Sequence, residues 1–174
     1  MVGVPEAVFE GYTISMKVHI ATDHAGLGFK NKLIEHLSGK GYEVKDHGAY
    51  QYNPQDDYPE FIIKAAEAVA ADWQQGADAL GVVFGGSGNG EQMAANKVKG
   101  VRAALVWNDA TARLAREHNN ANVVSIGARQ HTEEQAIELI DTFLETPFSG
   151  DERHVRRIGQ IAEYETTKGG EYGA

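Results

Sequence analysis

From residue 17 onward, five short apolar runs alternate with stretches of helical spacing, and that alternation restricts the chain to very few architectures. Val18–Thr22, Tyr42–Lys45, Ala79–Phe84, Ala103–Trp107 and Val123–Ile126 have strand length, and Ala79–Phe84 is apolar apart from one glycine. Between the first runs, apolar residues recur at helical intervals: Phe29, Leu33, Ile34 and Leu37 before a stop at Gly39 and Gly41, then Phe61, Ile62, Ala65, Ala66, Val69 and Trp73 after Pro59. Further helices are predicted through Met93 and Ala94, from Asp109 to Glu117, from Thr132 to Leu144 and from Asp151 to Tyr164. Strands that alternate with helices pair in parallel, because a parallel neighbour is reached only by a crossover. The expectation is an α/β protein whose parallel sheet is covered by helices on both faces.

With 174 residues and no linker or repeat, the chain reads as a single domain over residues 16–166. Residues 1–15 have no clear period and are set aside as an N-terminal extension of unknown role; residues 167–174 read as a frayed tail. There is no cysteine, which excludes disulfides, thiolate nucleophiles and cysteine-ligated metal centres. A net charge of −9 disfavours nucleic acid as a partner. No apolar run approaches the roughly 20 residues of a membrane helix. No signal peptide is readable either, so a cytoplasmic protein is expected.

Polar groups follow directly after the strands. Asp23-His24 follow the first, Gly85 to Glu91 the third, and Gly127-Ala128-Arg129 the fifth, while His118-Asn119-Asn120 end the helix that leads into the fifth. Open parallel sheets bind ligands outside the carboxyl ends of their strands, so these four segments are expected to converge on one crevice. The segment Gly85-Gly86-Ser87-Gly88-Asn89-Gly90-Glu91 lacks the spacing of a dinucleotide fingerprint, and Glu91-Gln92 stand where a nucleotide P-loop needs Lys and Ser or Thr. A row of backbone N–H groups with a hydroxyl and a carboxylate beside it suits a developing oxyanion and a proton transfer. The plainer alternative is a glycine turn with Glu91 as a helix-dipole partner. All seven arginines lie after residue 101. Arg153 and Arg157 share one helix face, as an anion site or as a solvated surface, and Arg156 is off that face.

Taken together, Asp23-His24-Ala25-Gly26, the run Gly85–Lys97, Arg116–Asn122, Ile126–Arg129 and Arg153–Arg157 resemble the type B ribose-5-phosphate isomerase family, which includes galactose-6-phosphate isomerase subunits. The resemblance covers Lys17 to about Glu165. It implies a Rossmann-like three-layer α/β/α sandwich with a five-stranded, mostly parallel sheet, no metal and no cofactor. It also implies a homodimer, in some members paired again as a dimer of dimers. The implied reaction is aldose–ketose isomerisation of a sugar phosphate through a cis-enediolate, a step of the non-oxidative pentose phosphate pathway. Many members carry a cysteine base where this chain has Gly85; the match here is to the branch with Glu91 as base.

Carried over on that resemblance, Ser87 shuttles a proton between O1 and O2. Gly86, Gly88, Asn89, Gly90 and Asn119 hold the enediolate, and His118 with Asp23 opens the furanose ring. His24, Arg129, Arg153 and Arg157 bind the phosphate, the two helix arginines coming from the neighbouring subunit. Read from sequence alone, His118 is first a helix-dipole partner. His19, His36, His47, His131 and His154 receive no role, and no metal-ligand spacing is present. Two other functions stay open: isomerisation of a six-carbon substrate such as allose or galactose 6-phosphate, and a non-catalytic sugar-phosphate sensor on the same fold.

Overall fold

The protein is described by a computed structural model over residues 16–167, together with residues 8–9 and 12–13. Those two pairs are strands β1 (Val8–Phe9) and β2 (Tyr12–Thr13), paired antiparallel with Val8 opposite Thr13. The rest of the expected extension, and of the expected tail after Thr167, lies outside the described residues.

The domain then runs β3 (Lys17–Thr22), α1 (Leu27–Gly39), β4 (Glu43–Asp46), α2 (Tyr58–Gln74), β5 (Ala79–Gly85), α3 (Asn89–Ala95), β6 (Ala103–Val106), α4 (Asp109–Asn119), β7 (Val123–Gly127), α5 (Glu133–Glu145) and α6 (Glu152–Thr167). The sheet order is β4-β3-β5-β7-β6, and every pairing in it is parallel. This is the Rossmann-like α/β arrangement expected. Two strand ends differ from expectation. Tyr42 packs into the core ahead of β4, and Trp107 lies past the end of β6 with 60% of its surface exposed. Thr167, assigned to the tail, closes α6.

Side chains alternate across the sheet with the two-residue period of a strand. Val18, Ile20, Leu80, Val82, Phe84, Val124 and Ile126 face α1, α4 and α5, where Leu33, Leu37, Ala112, Ile140 and Phe143 meet them. Ala21, Val83 and Val123 face α2 and α3 through Ile62, Ala66, Val69 and Ala95. Truncating a fully buried leucine such as Leu33 to alanine costs about 2–5 kcal/mol. Capping boxes fix where two helices begin: Asn108 with Thr111 at α4, and Thr132 with Gln135 at α5.

Because the strands are parallel, their carboxyl ends share one edge of the sheet. β3 is followed in sequence by β4 on one side, while β5 lies on the other, so the chain switches direction between β3 and β5 and opens a crevice there. α4 returns from β6 to the opposite edge. α6 lies at that far edge too: Ser149 N–H donates to Glu117 O at 3.2 Å, and Gly100 N–H donates to Glu165 Oε2 at 2.9 Å. Among the described residues no helix is long and apolar enough to cross a membrane.

Candidate active site

The loop after β5 is shaped by three close approaches. A Cβ on Gly85 would fall 1.9 Å from Glu91 Oε1, so the carboxylate occupies the space of the missing side chain. Gly88 precedes α3 at φ 79°, a left-handed conformation that favours glycine, and its carbonyl accepts from the buried Ser125 hydroxyl at 2.7 Å. At Gly90 the same construction meets the Tyr58 ring, with the phenol oxygen 2.6 Å away. The loop is also clasped to the one after β7. Ala128 N–H donates to Gly85 O at 2.8 Å and Arg129 N–H to Gly86 O at 3.1 Å, which brings the Arg129 guanidinium against Gly86.

Glu91 is 4% exposed. Burial pushes its carboxyl above the usual carboxylate range; a hydrogen bond from its own backbone N–H pulls the other way, and the neighbouring charge of Asp23 adds to the rise. Asp23 is buried at the end of β3, where it accepts from Ala25 N–H at 2.9 Å and caps the single 3-10 turn His24–Gly26. Ser87 is exposed at the loop tip, and its hydroxyl accepts from the Asn89 backbone and side-chain N–H groups at 3.3 and 3.2 Å. Beside this tip a cleft of about 410 Å³ is lined by Ser87, Asn89, Trp107, Gln130 and His131.

Asp23, His24, Gly86, Ser87, Gly88, Asn89, Gly90, Glu91 and Arg129 thus gather at the carboxyl edge of the sheet. The other expected site residues do not join them within one chain. The His118 ring packs on the His154 ring at a centroid distance of 4.2 Å, the Asn119 amide donates to Leu114 O at 3.2 Å, and Arg153 donates to His154 Nε2 at 3.2 Å. Arg157 follows one turn later on α6, so all four lie at the far edge. The expected convergence of four segments therefore holds for three, because a helix following a parallel strand carries its own carboxyl end away from the crevice.

Two residues of the crevice, Tyr58 and Asp56, were not anticipated. Asp56 comes from the polar stretch before α2 and Tyr58 is the first residue of that helix; no periodicity or motif marks either. Asp56 Oδ1 lies 2.6 Å from His24 Nδ1. Donor atoms of Asp23, His24 and Asp56 lie within 4.8 Å of one another, close enough to share a divalent cation. The His24–Asp56 hydrogen bond accounts for that closeness equally well.

The family model for ribose/galactose isomerases matches residues 18–161. The chain belongs to the ribose/galactose isomerase family. Among curated relatives in this family, ribose-5-phosphate isomerase B of Mycobacterium tuberculosis is 52% identical over 87% of this chain and 91% of its own. The probable ribose-5-phosphate isomerase B of Mycoplasma genitalium is 43% identical over 87% of this chain and 97% of its own. The crystal structure of the Mycoplasma genitalium isomerase with bound ribulose-5-phosphate superposes with a TM-score of 0.83 at 42% identity, covering 89% of this chain and 99% of that one. The type B isomerase of Trypanosoma cruzi gives a TM-score of 0.80 at 41% identity, covering 88% and 98%.

Proposed function

We propose that this protein interconverts ribose 5-phosphate and ribulose 5-phosphate, with Glu91 moving the proton between C2 and C1. The observation that carries this reading is the buried Glu91 carboxylate seated against Gly85, with a pKa displaced toward neutrality by its surroundings. Removing a proton beside a carbonyl needs such a base. Once the ring is open, Glu91 takes the C2 proton and the electron pair moves onto O1, giving a cis-enediolate. Ser87 passes the O2 proton to O1, and Glu91 returns its proton to C1 as O2 becomes the carbonyl. Backbone N–H groups between Gly86 and Gly90 hold the negative charge. Two protons are relocated, one from C2 to C1 and one from O2 to O1, and no electron acceptor is required.

His24 and Arg129 take the phosphate from this chain's side. The remaining groups, His118 and Asn119 for ring opening and enediolate binding, and Arg153 and Arg157 for phosphate, come in this reading from a second copy. Their position at the far edge supports a site completed across a homodimer. The surface of α6 supports it as well: Val155, Ile161 and Tyr164 are 52%, 58% and 54% exposed, large apolar side chains left open on a single chain.

Incubating the purified protein with ribose 5-phosphate, allose 6-phosphate or galactose 6-phosphate tests the reading. Ribulose 5-phosphate should form, with a higher kcat/KM than for either six-carbon sugar. Binding without turnover would leave a sensor, and faster turnover of a six-carbon sugar would reassign the substrate.

A further inference from the structure

The His24–Asp56 pair does more than fill space beside the crevice. Asp56 comes from the loop before α2, where its N–H donates to Asn53 O at 3.1 Å and closes a turn. Its Oδ1 meets His24 twice, at 2.6 Å from ring Nδ1 and at 3.3 Å from the backbone N–H. Its Oδ2 is buried and makes no hydrogen bond. The side chain is 8% exposed, so a carboxylate has been taken out of water with half of its acceptor capacity unused. Such an arrangement costs stability, and among the described residues only His24 donates to this carboxylate.

The chemistry of the pair defines its use. An ionised carboxylate only accepts, so the His24 proton facing it sits on Nδ1, and Nε2 is left as the free edge of the ring. Tyr52 stands edge-on to the same ring, with centroids 6.0 Å apart and planes at 89°. A ring donating from Nδ1 to Asp56 and from Nε2 to a phosphate is an imidazolium between two anions. Without Asp56, nothing polar would hold Nδ1 in that orientation except Asp23, whose Oδ2 is 3.9 Å away.

We propose that Asp56 is a positioning residue for phosphate recognition: it locks the His24 ring so that Nε2–H presents to the sugar phosphate, and it acts through His24 without touching the reacting carbons. This rests on the assignment of His24 to the phosphate under the proposed function.

The test combines Asp56→Asn and Asp56→Glu with two readouts. The first is steady-state kinetics with ribose 5-phosphate, plus binding of inorganic phosphate followed by calorimetry. The second is 15N NMR of the His24 ring. In Asp56→Asn, KM and the Kd for inorganic phosphate should both rise about tenfold while kcat stays within about threefold. Asp56→Glu should recover part of that loss, and the wild-type spectrum should show a hydrogen-bonded proton on His24 Nδ1 that Asp56→Asn loses. A purely structural role would lower kcat and thermal stability and leave phosphate affinity in place. Unchanged phosphate affinity in folded Asp56→Asn overturns the proposal. If that variant does not fold, a wild-type His24 ring without a proton on Nδ1 overturns it instead. Phosphate binding is measured without turnover, so an absence of isomerase activity would count against the proposed reaction and leave the role of Asp56 to be judged by the calorimetry.

Discussion

The Glu91 carboxylate fills the place that a side chain at Gly85 would need, with Oε1 1.9 Å from the position of a Cβ there. The two positions are therefore sterically exclusive. A cysteine at position 85 and a glutamate folded against it cannot share the site, a physical reason for this chain to carry glycine there.

Gly85→Ala should accordingly displace Glu91 while leaving the phosphate groups in place. Proton-transfer groups contribute about 10²–10⁴ in rate, so kcat should fall by at least about a hundredfold with a smaller change in KM. Steady-state kinetics on the folded variant checks this; a kcat near wild type would mean that Glu91 tolerates the displacement or is not the base.

Glu91 also carries a stability cost with a defined sign. Its carboxyl titrates higher in the folded protein than in the unfolded chain, chiefly because it is buried. Between those two values the folded state binds more protons, so stability declines as pH rises from the ordinary carboxylate value of 4.5 through the raised one. Glu91→Gln removes that decline. Thermal melts at pH 7.5 should show the variant more stable than wild type, with the gap closing toward pH 4; a variant less stable at pH 7.5 would contradict the burial account.

Much of the fold is legible in the sequence. Uninterrupted strands such as Ala79–Phe84 and the glycine loop after them announce a parallel sheet and its ligand edge. The separation of His118 and Asn119 from that edge follows from topology and not from residue spacing: they end a helix between two parallel strands, and such a helix carries its carboxyl end away from the crevice. Asp56 was invisible for another reason: its partner His24 is 32 residues away, and loop residues carry no period to betray a contact. Gly85 stood out in the sequence only as the place where many members carry a cysteine; that its missing Cβ seats Glu91 is visible only in three dimensions.

If Glu91 and Arg157 of one site come from different chains, two inactive variants should complement each other. A mixed dimer of Glu91→Gln with Arg157→Ala has one site with both defects and one with neither. Random remixing makes half of the dimers mixed, so activity should recover to about a quarter of wild type. Subunit exchange confirmed by a fluorescent label with no recovery would place Arg157 and Glu91 in the same chain's site.

On the acid side, two histidines set a further expectation. Burial, then the charge of His19, holds His47 below the ordinary histidine value of 6.5. Burial, then the charges of His118 and Arg153, does the same to His154. The unfolded chain takes up these protons first, so the stability is present above pH 6.5 and is lost as pH falls below it. Tm should drop between pH 7 and pH 5, and less steeply in His154→Gln; equal slopes in the two proteins would remove His154 from the account.

The central claim is that Glu91 carries a substrate proton, and isotope exchange in D2O reads that event directly. Wild-type protein equilibrating ribose 5-phosphate with ribulose 5-phosphate over many turnovers should place deuterium at C2 of the aldose and C1 of the ketose, followed by proton NMR. In Glu91→Gln both exchange and isomerisation should slow by at least about a hundredfold while inorganic phosphate still binds. Isomerisation that proceeds at near wild-type rate in Glu91→Gln, or that retains the C2 hydrogen throughout in the wild type, would contradict it.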